Sequence, residues 1–289
     1  MFPAGLRTDI ETLLGSPLEE ARPVSGGDIH HAMQLRTEDK RDFFVKFNNH
    51  AQAREMFRTE VLGLTLLGAS QTIAVPKIVK QGSSDDDWSF LLMEYIKPGY
   101  KNPLFWERFG LALANLHGNT SEFFGFSHDN FIGSLSQSNT RHARWSDFYA
   151  EERLLAQFRL ARKAGKMETR DGHLLDSICR KIDQICPEEI PALIHGDLWG
   201  GNFICDSAGQ PVLIDPAACF AHREMDLAMT RLFSGFDRVF YKTYFEYWPL
   251  EPGFEQRMEL YQLYYLLVHV NLFGGSYIDQ VRRILKRFG

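Results

Sequence analysis

The sequence is poor in cysteine and has no excess of positive charge. Its four cysteines form no CxxC pair, so they predict neither a disulfide framework nor a zinc site and favour a reducing compartment. The 32 lysines and arginines are outnumbered by 37 aspartates and glutamates, which gives a net charge of −5. This balance offers no electrostatic reason to expect a nucleic acid or an anionic membrane as partner. We therefore expect a cytoplasmic protein that does not bind nucleic acid.

Long apolar runs and a leader segment are also missing. The longest apolar stretch lies near residues 260–273, is interrupted by Gln262, His269 and Asn271, and is shorter than the ~18 residues that suggest a membrane span. The N-terminus has no basic segment before an apolar stretch, so no signal peptide is predicted. A Walker A motif and the full G-x-G-x-x-G spacing are absent, which argues against a P-loop fold.

What is present divides the chain into two halves. Residues 1–96 contain short aromatic and β-branched segments typical of strands, with one main helix predicted over residues 51–68. Residues 97–289 carry mostly helical spacing, and Pro98-Gly99 breaks the pattern between the halves. We therefore predict an α+β, two-lobed fold, with a β-rich N-terminal lobe, a mostly helical C-terminal lobe and a hinge at about residues 94–100.

Several individual elements are predicted from the same patterns. Residues 75–79 are predicted to form a strand of the N-terminal half. Five segments of the C-terminal half are predicted to be helices, namely residues 103–118, 145–164, 171–185, 223–233 and 254–273.

The densest chemical signal begins at His195 and ends at Asp215, which follows a short apolar strand. Asn202 follows Asp197 by five positions, and Asp215 follows Asn202 by thirteen. Phosphoryl transfer from ATP needs a carboxylate that orients the attacking hydroxyl and oxygen ligands for Mg²⁺. The kinase pattern H-x-D-x-x-x-x-N, followed by a metal-binding Asp, supplies these groups. We therefore predict Asp197 as the catalytic base and Asn202 and Asp215 as Mg²⁺ ligands, with turn positions as the alternative for each.

Residues of the N-terminal half are predicted to bind ATP. Lys46 ends a strand and can reach nucleotide phosphates if an acid on the following helix holds its ammonium group. Glu60 is the predicted acid, because apolar residues flank it on its C-terminal side, and Glu55 is the competing one. Gly26 and Gly27 lie in a turn between two strands, where backbone amides can approach phosphates closely.

Backbone groups and supporting side chains complete the predicted site. Met93, Glu94 and Tyr95 stand at the hinge, where backbone groups can bond the edge of adenine. His195 is predicted to hold the catalytic loop in shape through a backbone carbonyl. Asp226, in the first turn of a helix, is predicted to accept hydrogen bonds from the backbone of that loop.

Together these residues resemble the protein-kinase-like fold in its small-molecule branch, alongside aminoglycoside and choline kinases. Within that branch the run from His195 to Asn202, with Trp199 inside it, is similar to the fructosamine (ketosamine) kinase family. The segments 215–217, 223–229 and 261–275 are similar to that family too, and the resemblance covers nearly the whole chain.

The resemblance implies ATP- and Mg²⁺-dependent phosphorylation of a sugar hydroxyl on a ketosamine, which is a glycated amine borne by a small molecule or a protein. The phosphorylated product is expected to decompose, which links the family to deglycation. Asp215 is followed by Pro-Ala rather than Phe-Gly, and no Ala-Pro-Glu follows. Both departures count against a protein-hydroxyl kinase with an activation loop.

An acceptor pocket is expected in the helical half. Trp199 can stack on a sugar ring, with a core position as the alternative. Trp145, Asp147 and Glu151 are predicted at the entrance, where an acid would suit the substrate amine.

Other functions remain open from the sequence alone. An aminoglycoside- or choline-type kinase would share the fold, and a metal-dependent phosphohydrolase would use His195 and Asp197 as ligands. A nucleotide-binding module without activity is the third alternative. The sequence leaves the oligomeric state undetermined.

Overall fold

The computed structural model describes residues 2–24, 29–84, 87–233 and 235–289, and its N-terminal part is built on one antiparallel sheet. Helix α1 (Ala4–Leu14) comes first. The five strands are β1 (Leu18–Pro23), β2 (His31–Thr37), β3 (Asp42–Asn48), β4 (Ile78–Ser83) and β5 (Ser89–Glu94), with helix α2 (Ala53–Ala69) between β3 and β4. The strands pair in the order β1-β2-β3-β5-β4, so β3 lies at the centre of the sheet.

The two faces of this sheet are covered by different helices, because successive side chains of a strand point to opposite faces. On one face Val45 of β3 packs in a cluster with Leu6 of α1. On the other face Phe44 packs in a cluster with Phe57 of α2. Lys46 therefore projects on the α2 face, towards the helical half of the chain.

The remaining elements belong to the mostly helical half. In chain order they are α3 (Phe105–His117), β6 (Asn130–Ile132), β7 (Leu135–Gln137), α4 (Trp145–Phe148), a π-helical stretch (Tyr149–Leu155), α5 (Ala156–Lys163), α6 (Thr169–Ile185), β8 (Ala192–Ile194), β9 (Phe203–Cys205), β10 (Pro211–Leu213), β11 (Cys219–Ala221), α7 (Glu224–Leu232), α8 (Arg238–Tyr247), α9 (Phe254–Leu272) and α10 (Tyr277–Phe288). Helix α9 crosses the core, where Tyr261, Tyr264 and Tyr265 are almost completely buried. None of the described helices is both long and apolar enough to span a bilayer.

Most predicted helices lie within a few residues of their predicted positions, but two predicted elements differ. The strand predicted over residues 75–79 begins only at Ile78, because Pro76 has no amide to donate and Ala74 instead accepts a bond from the Leu213 amide at 2.9 Å. The helix predicted over residues 145–164 is divided by the π-helical stretch.

Helices α8 and α10 are additions to the prediction. Helix α8 has the sequence RVFYKTYFEY, and its aromatic and β-branched residues have weak helix propensity. Its helical state therefore depends on packing against α3, where a side chain on Gly110 would lie 2.4 Å from the carbonyl oxygen of Phe240. The division into lobes at residues 96 and 97 stays a prediction.

Candidate active site

The predicted catalytic loop connects β8 to β9 and is held by a buried carboxylate. Asp226 is completely buried in the first turn of α7, and its oxygens accept the backbone amides of His195 at 2.8 Å and Gly196 at 2.9 Å. Gly196 has a φ of 83°, and a Cβ there would lie 2.2 Å from the carbonyl oxygen of Ala217. The loop conformation therefore requires glycine at this position.

His195 joins the catalytic loop to the strand that leads to Asp215. Its Nδ1 accepts the Asp197 amide at 3.2 Å, so its Nε2 carries the hydrogen and donates to the Ile214 carbonyl at 2.8 Å. Removal from water lowers the pKa of His195, which agrees with a neutral ring. Both ring nitrogens are therefore engaged in hydrogen bonds to the backbone, and the imidazole does not face a reacting group.

Asp197 and Asn202 form a hydrogen-bonded pair. Nδ2 of Asn202 donates to the backbone oxygen of Asp197 at 2.8 Å and to its Oδ2 at 3.0 Å. Removal from water raises the pKa of Asp197 to about 7, the bond from Asn202 opposes this rise, and the negative charge of Asp215 adds to it. A carboxyl group with such a pKa is suited to accept a proton during a reaction.

Lys46 meets two carboxylates between the sheet and the catalytic loop. Its Nζ lies 2.8 Å from Oε1 of Glu60 and also contacts Oδ1 of Asp215. Burial opposes the charge on Lys46, but Asp215 and Glu60 outweigh it and raise the pKa of the lysine. The competing acid, Glu55, is exposed and pairs with Arg58 instead.

Asp215 itself adopts an uncommon backbone conformation. Its φ is 54°, in the left-handed region that aspartate tolerates better than most residues. The turn is fixed on both sides, because the Ile214 amide bonds the Asn202 carbonyl at 3.1 Å and the Ala217 amide bonds the His195 carbonyl at 3.0 Å. The carboxylate is thereby placed next to Lys46 at the end of the short β10 segment.

The predicted catalytic base and metal ligands open into one cavity of about 820 Å³. Glu60, Asp197, Asn202 and Asp215 are among its lining residues. Trp199 lines it as well and is 40% exposed, so it is a rim residue rather than a core residue.

The structure does not bring Trp145 and Asp147 to this cavity, in contrast to the expectation that they line its entrance. Trp145 is 6% exposed, because its ring is stacked on His222 at 4.1 Å and on Tyr149 at 4.8 Å. Asp147 on α4 and Glu151 in the π-helical stretch are exposed, and none of the three residues predicted at the entrance is part of the cavity lining. Trp145 therefore belongs to the core of the helical half.

Four aromatic rings at the other end of the cavity were not predicted. We call Phe233, His269, Phe273 and Tyr277 the aromatic cluster; all four line the cavity. The His269 ring lies 4.7 Å from Phe233, 5.5 Å from Phe273 and 4.9 Å from Tyr277. The one signal in the sequence was His269 itself, a polar residue inside the apolar run of residues 260–273.

The residues predicted to contact adenine lie within the described part of the chain, but the two glycines predicted to approach the phosphates do not. Met93 is buried in β5, and the amide of Glu94 donates to the Lys77 carbonyl at 2.9 Å, so this amide is not free for a ligand. Tyr95 follows the strand and is half-buried. Gly26 and Gly27 lie outside the described residues.

Comparison with known proteins shows which family the chain resembles. The family model described as fructosamine kinase matches residues 6–288. A protein described as a probable ketoamine kinase from Synechocystis is 42% identical over 285 residues, which cover 96% of this chain and 94% of that protein. A chloroplastic protein-ribulosamine 3-kinase from Arabidopsis thaliana is 39% identical over 275 residues, covering 91% of this chain and 82% of that one.

Solved structures agree as well. A crystal structure described as a candidate fructosamine-3-kinase from Thermobifida fusca matches with a TM-score of 0.84 at 34% identity, covering 97% of this chain and 98% of that chain. An aminoglycoside phosphotransferase matches with a TM-score of 0.64 at 15% identity, covering 99% of both chains, and shows a likeness of fold alone. The predicted α+β, protein-kinase-like fold is thereby confirmed.

Proposed function

The chain belongs to the fructosamine kinase family, and from this premise we propose that it transfers the terminal phosphoryl group of ATP to a sugar hydroxyl of a ketosamine. The observation that carries the proposal is that Asp197, Asn202 and Asp215 line one cavity of about 820 Å³, with space beside them for an acceptor. Lys46 reaches Asp215 from the sheet, so groups suited to phosphate and groups suited to the acceptor share this space.

The proposed reaction is an in-line displacement at phosphorus. The acceptor hydroxyl oxygen bonds to the terminal phosphorus while the bond from that phosphorus to the bridging oxygen of ADP breaks. Asp197 accepts a hydrogen bond from the hydroxyl and takes up its proton, and ADP leaves. Such base assistance contributes roughly 10²–10⁴-fold to the rate, and positioning with electrostatic stabilisation supplies the rest.

Mg²⁺ is part of the proposal, and the residues fit it. Nδ2 of Asn202 is bonded to Asp197 at 2.8 and 3.0 Å, which leaves its Oδ1 for a cation, and Asp215 adds a carboxylate oxygen. Among the described residues, no group of three or more His, Cys, Asp or Glu is placed to hold a metal ion. Two protein oxygens are nevertheless typical for Mg²⁺, because it takes its other ligands from phosphates and water. When bound, it would neutralise charge on the phosphates.

A second solved neighbour supports the nucleotide. A thermostable mutant of an aminoglycoside phosphotransferase has been crystallised with ADP and hygromycin B, and it shares the fold at 15% identity and a TM-score of 0.63. We propose that the nucleotide lies under the sheet, with its adenine near Met93–Tyr95 and its phosphates near Lys46.

The cavity favours a ketosamine over an aminoglycoside. The carboxylates among its described lining residues are Glu60, Asp197 and Asp215, and Lys46 pairs with two of them. An aminoglycoside carries several positive charges and would require further acids. The remaining lining is largely apolar and aromatic, which suits the C–H faces of a sugar and a single amine.

An acceptor panel tests this function. The protein is incubated with ATP, Mg²⁺ and fructosyl-lysine, choline or kanamycin, and phosphorylated products are identified by ³¹P NMR. We expect a phosphomonoester of fructosyl-lysine to form in step with ADP. Phosphorylation of kanamycin or choline in its place would contradict the ketosamine proposal, and release of free phosphate without acceptor would indicate a phosphohydrolase.

A role in deglycation follows from the same proposal. A phosphorylated ketosamine that decomposes would release the unmodified amine. Trp199 and Phe273 stand at the rim, 40% and 60% exposed, so the sugar can enter while its amine stays attached to a small molecule or to a protein. We propose that this takes place in the cytoplasm, as the scattered thiols suggest.

A further inference from the structure

His30 lies in the wall of the cavity, and the proposed reaction assigns it no role. Strand β2 pairs with β3 so that Ala32 lies opposite Lys46. His30 stands two positions before Ala32 and therefore falls on the same face of the sheet as Lys46. Its ring packs against Phe57 of α2 with ring centres 4.5 Å apart, and it lines the cavity together with Asp197 and Asp215.

The side chain of Asn48 fixes the ring of His30 in one tautomer. Oδ1 of Asn48 accepts the His50 amide at 2.9 Å, so its Nδ2 is the donor, and it bonds the Ile29 carbonyl at 2.7 Å. The same Nδ2 lies 3.2 Å from Nδ1 of His30, which therefore accepts. The hydrogen of a neutral His30 must then be on Nε2, and that atom is left to donate.

The surroundings also keep this imidazole neutral. Removal from water is the main cause that lowers the pKa of His30 to about 4, and the positive charge of Lys46 lowers it further. The negative charge of Asp215 opposes this shift only in part. A neutral N–H donor can bond a phosphate oxygen without adding a charge to the Lys46, Glu60 and Asp215 group. It differs in this from lysine or arginine, which bind phosphate through charge.

We propose that Nε2–H of His30 donates a hydrogen bond to an oxygen of the terminal phosphate of ATP. This inference rests on the proposed function, because it assumes that a nucleotide binds beside Lys46. The terminal phosphate is the relevant one, because His30 shares the cavity with Asp197, which must stand next to the transferred group. ADP lacks this phosphate and cannot form the contact.

Nucleotide binding separates this role from simple packing. Calorimetric titrations with AMP-PNP and with ADP, both in the presence of Mg²⁺, are made on the wild type and on His30→Phe, which keeps a ring against Phe57 and removes the donor. We expect the affinity for AMP-PNP to fall roughly 10–100-fold, since a hydrogen bond to a charged group is lost, while the affinity for ADP stays within about twofold. His30→Gln, which retains an N–H donor, should recover part of the loss.

The adjacent histidine supplies the matched control. His31 is exposed, and its ring packs against Phe47 at 5.3 Å, on the opposite face of the sheet. His31→Phe should leave both affinities unchanged. An equal loss for AMP-PNP and ADP in His30→Phe, or no loss for either, would overturn the inference. If the wild type bound neither nucleotide, the proposed function would fail as well, so the two failures are distinguishable.

Discussion

The two ends of the cavity are built from different kinds of interaction. At the phosphate end, which we define as Lys46, Glu60, Asp197, Asn202 and Asp215, every side chain is fixed by a charged group or a hydrogen bond. At the other end, the aromatic cluster is formed by ring contacts, and Phe273 is 60% exposed.

In the proposed function, this difference separates the residues that carry the chemistry from those that select the acceptor. Directional bonds hold the reacting groups within narrow limits, and rates depend steeply on such geometry. Ring contacts are less directional, so the aromatic cluster would accommodate different amine carriers on the same sugar if the acceptor binds there as proposed. The comparison predicts that changes at the phosphate end remove turnover, whereas changes in the aromatic cluster alter acceptor binding.

The largest effect is expected from Asp197→Ala. Loss of the proposed base should lower turnover by roughly 10²–10⁴-fold, while ATP still binds, because Lys46, Asn202 and Asp215 remain. Steady-state rates on the ketosamine and a nucleotide titration measure the two quantities. Asp147→Ala, an exposed acid outside the cavity, is the control and should be unaffected. Near-normal rates in Asp197→Ala would show that the role is wrongly assigned.

The second-largest effect is expected from Asp226→Ala, which should lower the stability of the fold. The change leaves the buried amides of His195 and Gly196 without their acceptor, and each unsatisfied group costs about 1–3 kcal/mol. We expect the free energy of unfolding in urea to fall by about 2–6 kcal/mol, with a loss of turnover in the folded fraction. Asp279→Ala, on the exposed side of α10, should change neither. An unaltered urea midpoint in Asp226→Ala would contradict this account of the loop.

Asp215→Ala should act through the cation. One of the two proposed protein ligands is lost, so the Mg²⁺ concentration for half-maximal rate should rise by more than roughly 10–100-fold, which is the loss typical when only a group that orients a metal ligand is removed. A Mg²⁺ titration of the rate at saturating ATP measures this. An unchanged Mg²⁺ requirement would place the cation elsewhere.

The smallest effect is expected from Phe273→Ala in the aromatic cluster. Removal of one aromatic contact of about 0.5–1.5 kcal/mol should raise KM for the ketosamine by about 2–10-fold and leave KM for ATP unchanged. Phe123→Ala is the matched control, because Phe123 is 41% exposed and lies outside the cavity lining. A larger effect on ATP than on the acceptor would contradict the separation of the two ends.

The same separation explains how much the sequence could predict. The spacing of Asp197 and Asn202 is local, so the chain itself brings the two side chains together once the turn forms. Glu60 could be chosen over Glu55 from the apolar pattern that shows which face of one helix points inward. The structure pairs Lys46 with Glu60. The phosphate end could therefore be predicted from short-range patterns and family motifs.

The aromatic cluster could not be predicted in this way. The aromatic cluster joins the end of α7, the end of α9 and the start of α10, and only tertiary packing brings these segments together. The prediction for Trp145 was wrong for the same reason, because its ring stacks on His222, which lies 77 positions later in the sequence. Local patterns do not reveal which aromatic residues face a cavity and which fill the core.

A crystal structure of Asp197→Asn with Mg²⁺, AMP-PNP and a ketosamine tests the central claim most directly. We predict a cation between Asn202 and Asp215, the terminal phosphate on the Lys46 side, and a sugar hydroxyl within about 3 Å of residue 197, with the amine towards the aromatic cluster. A nucleotide bound at the aromatic cluster, or a sugar bound outside this cavity, would contradict the account.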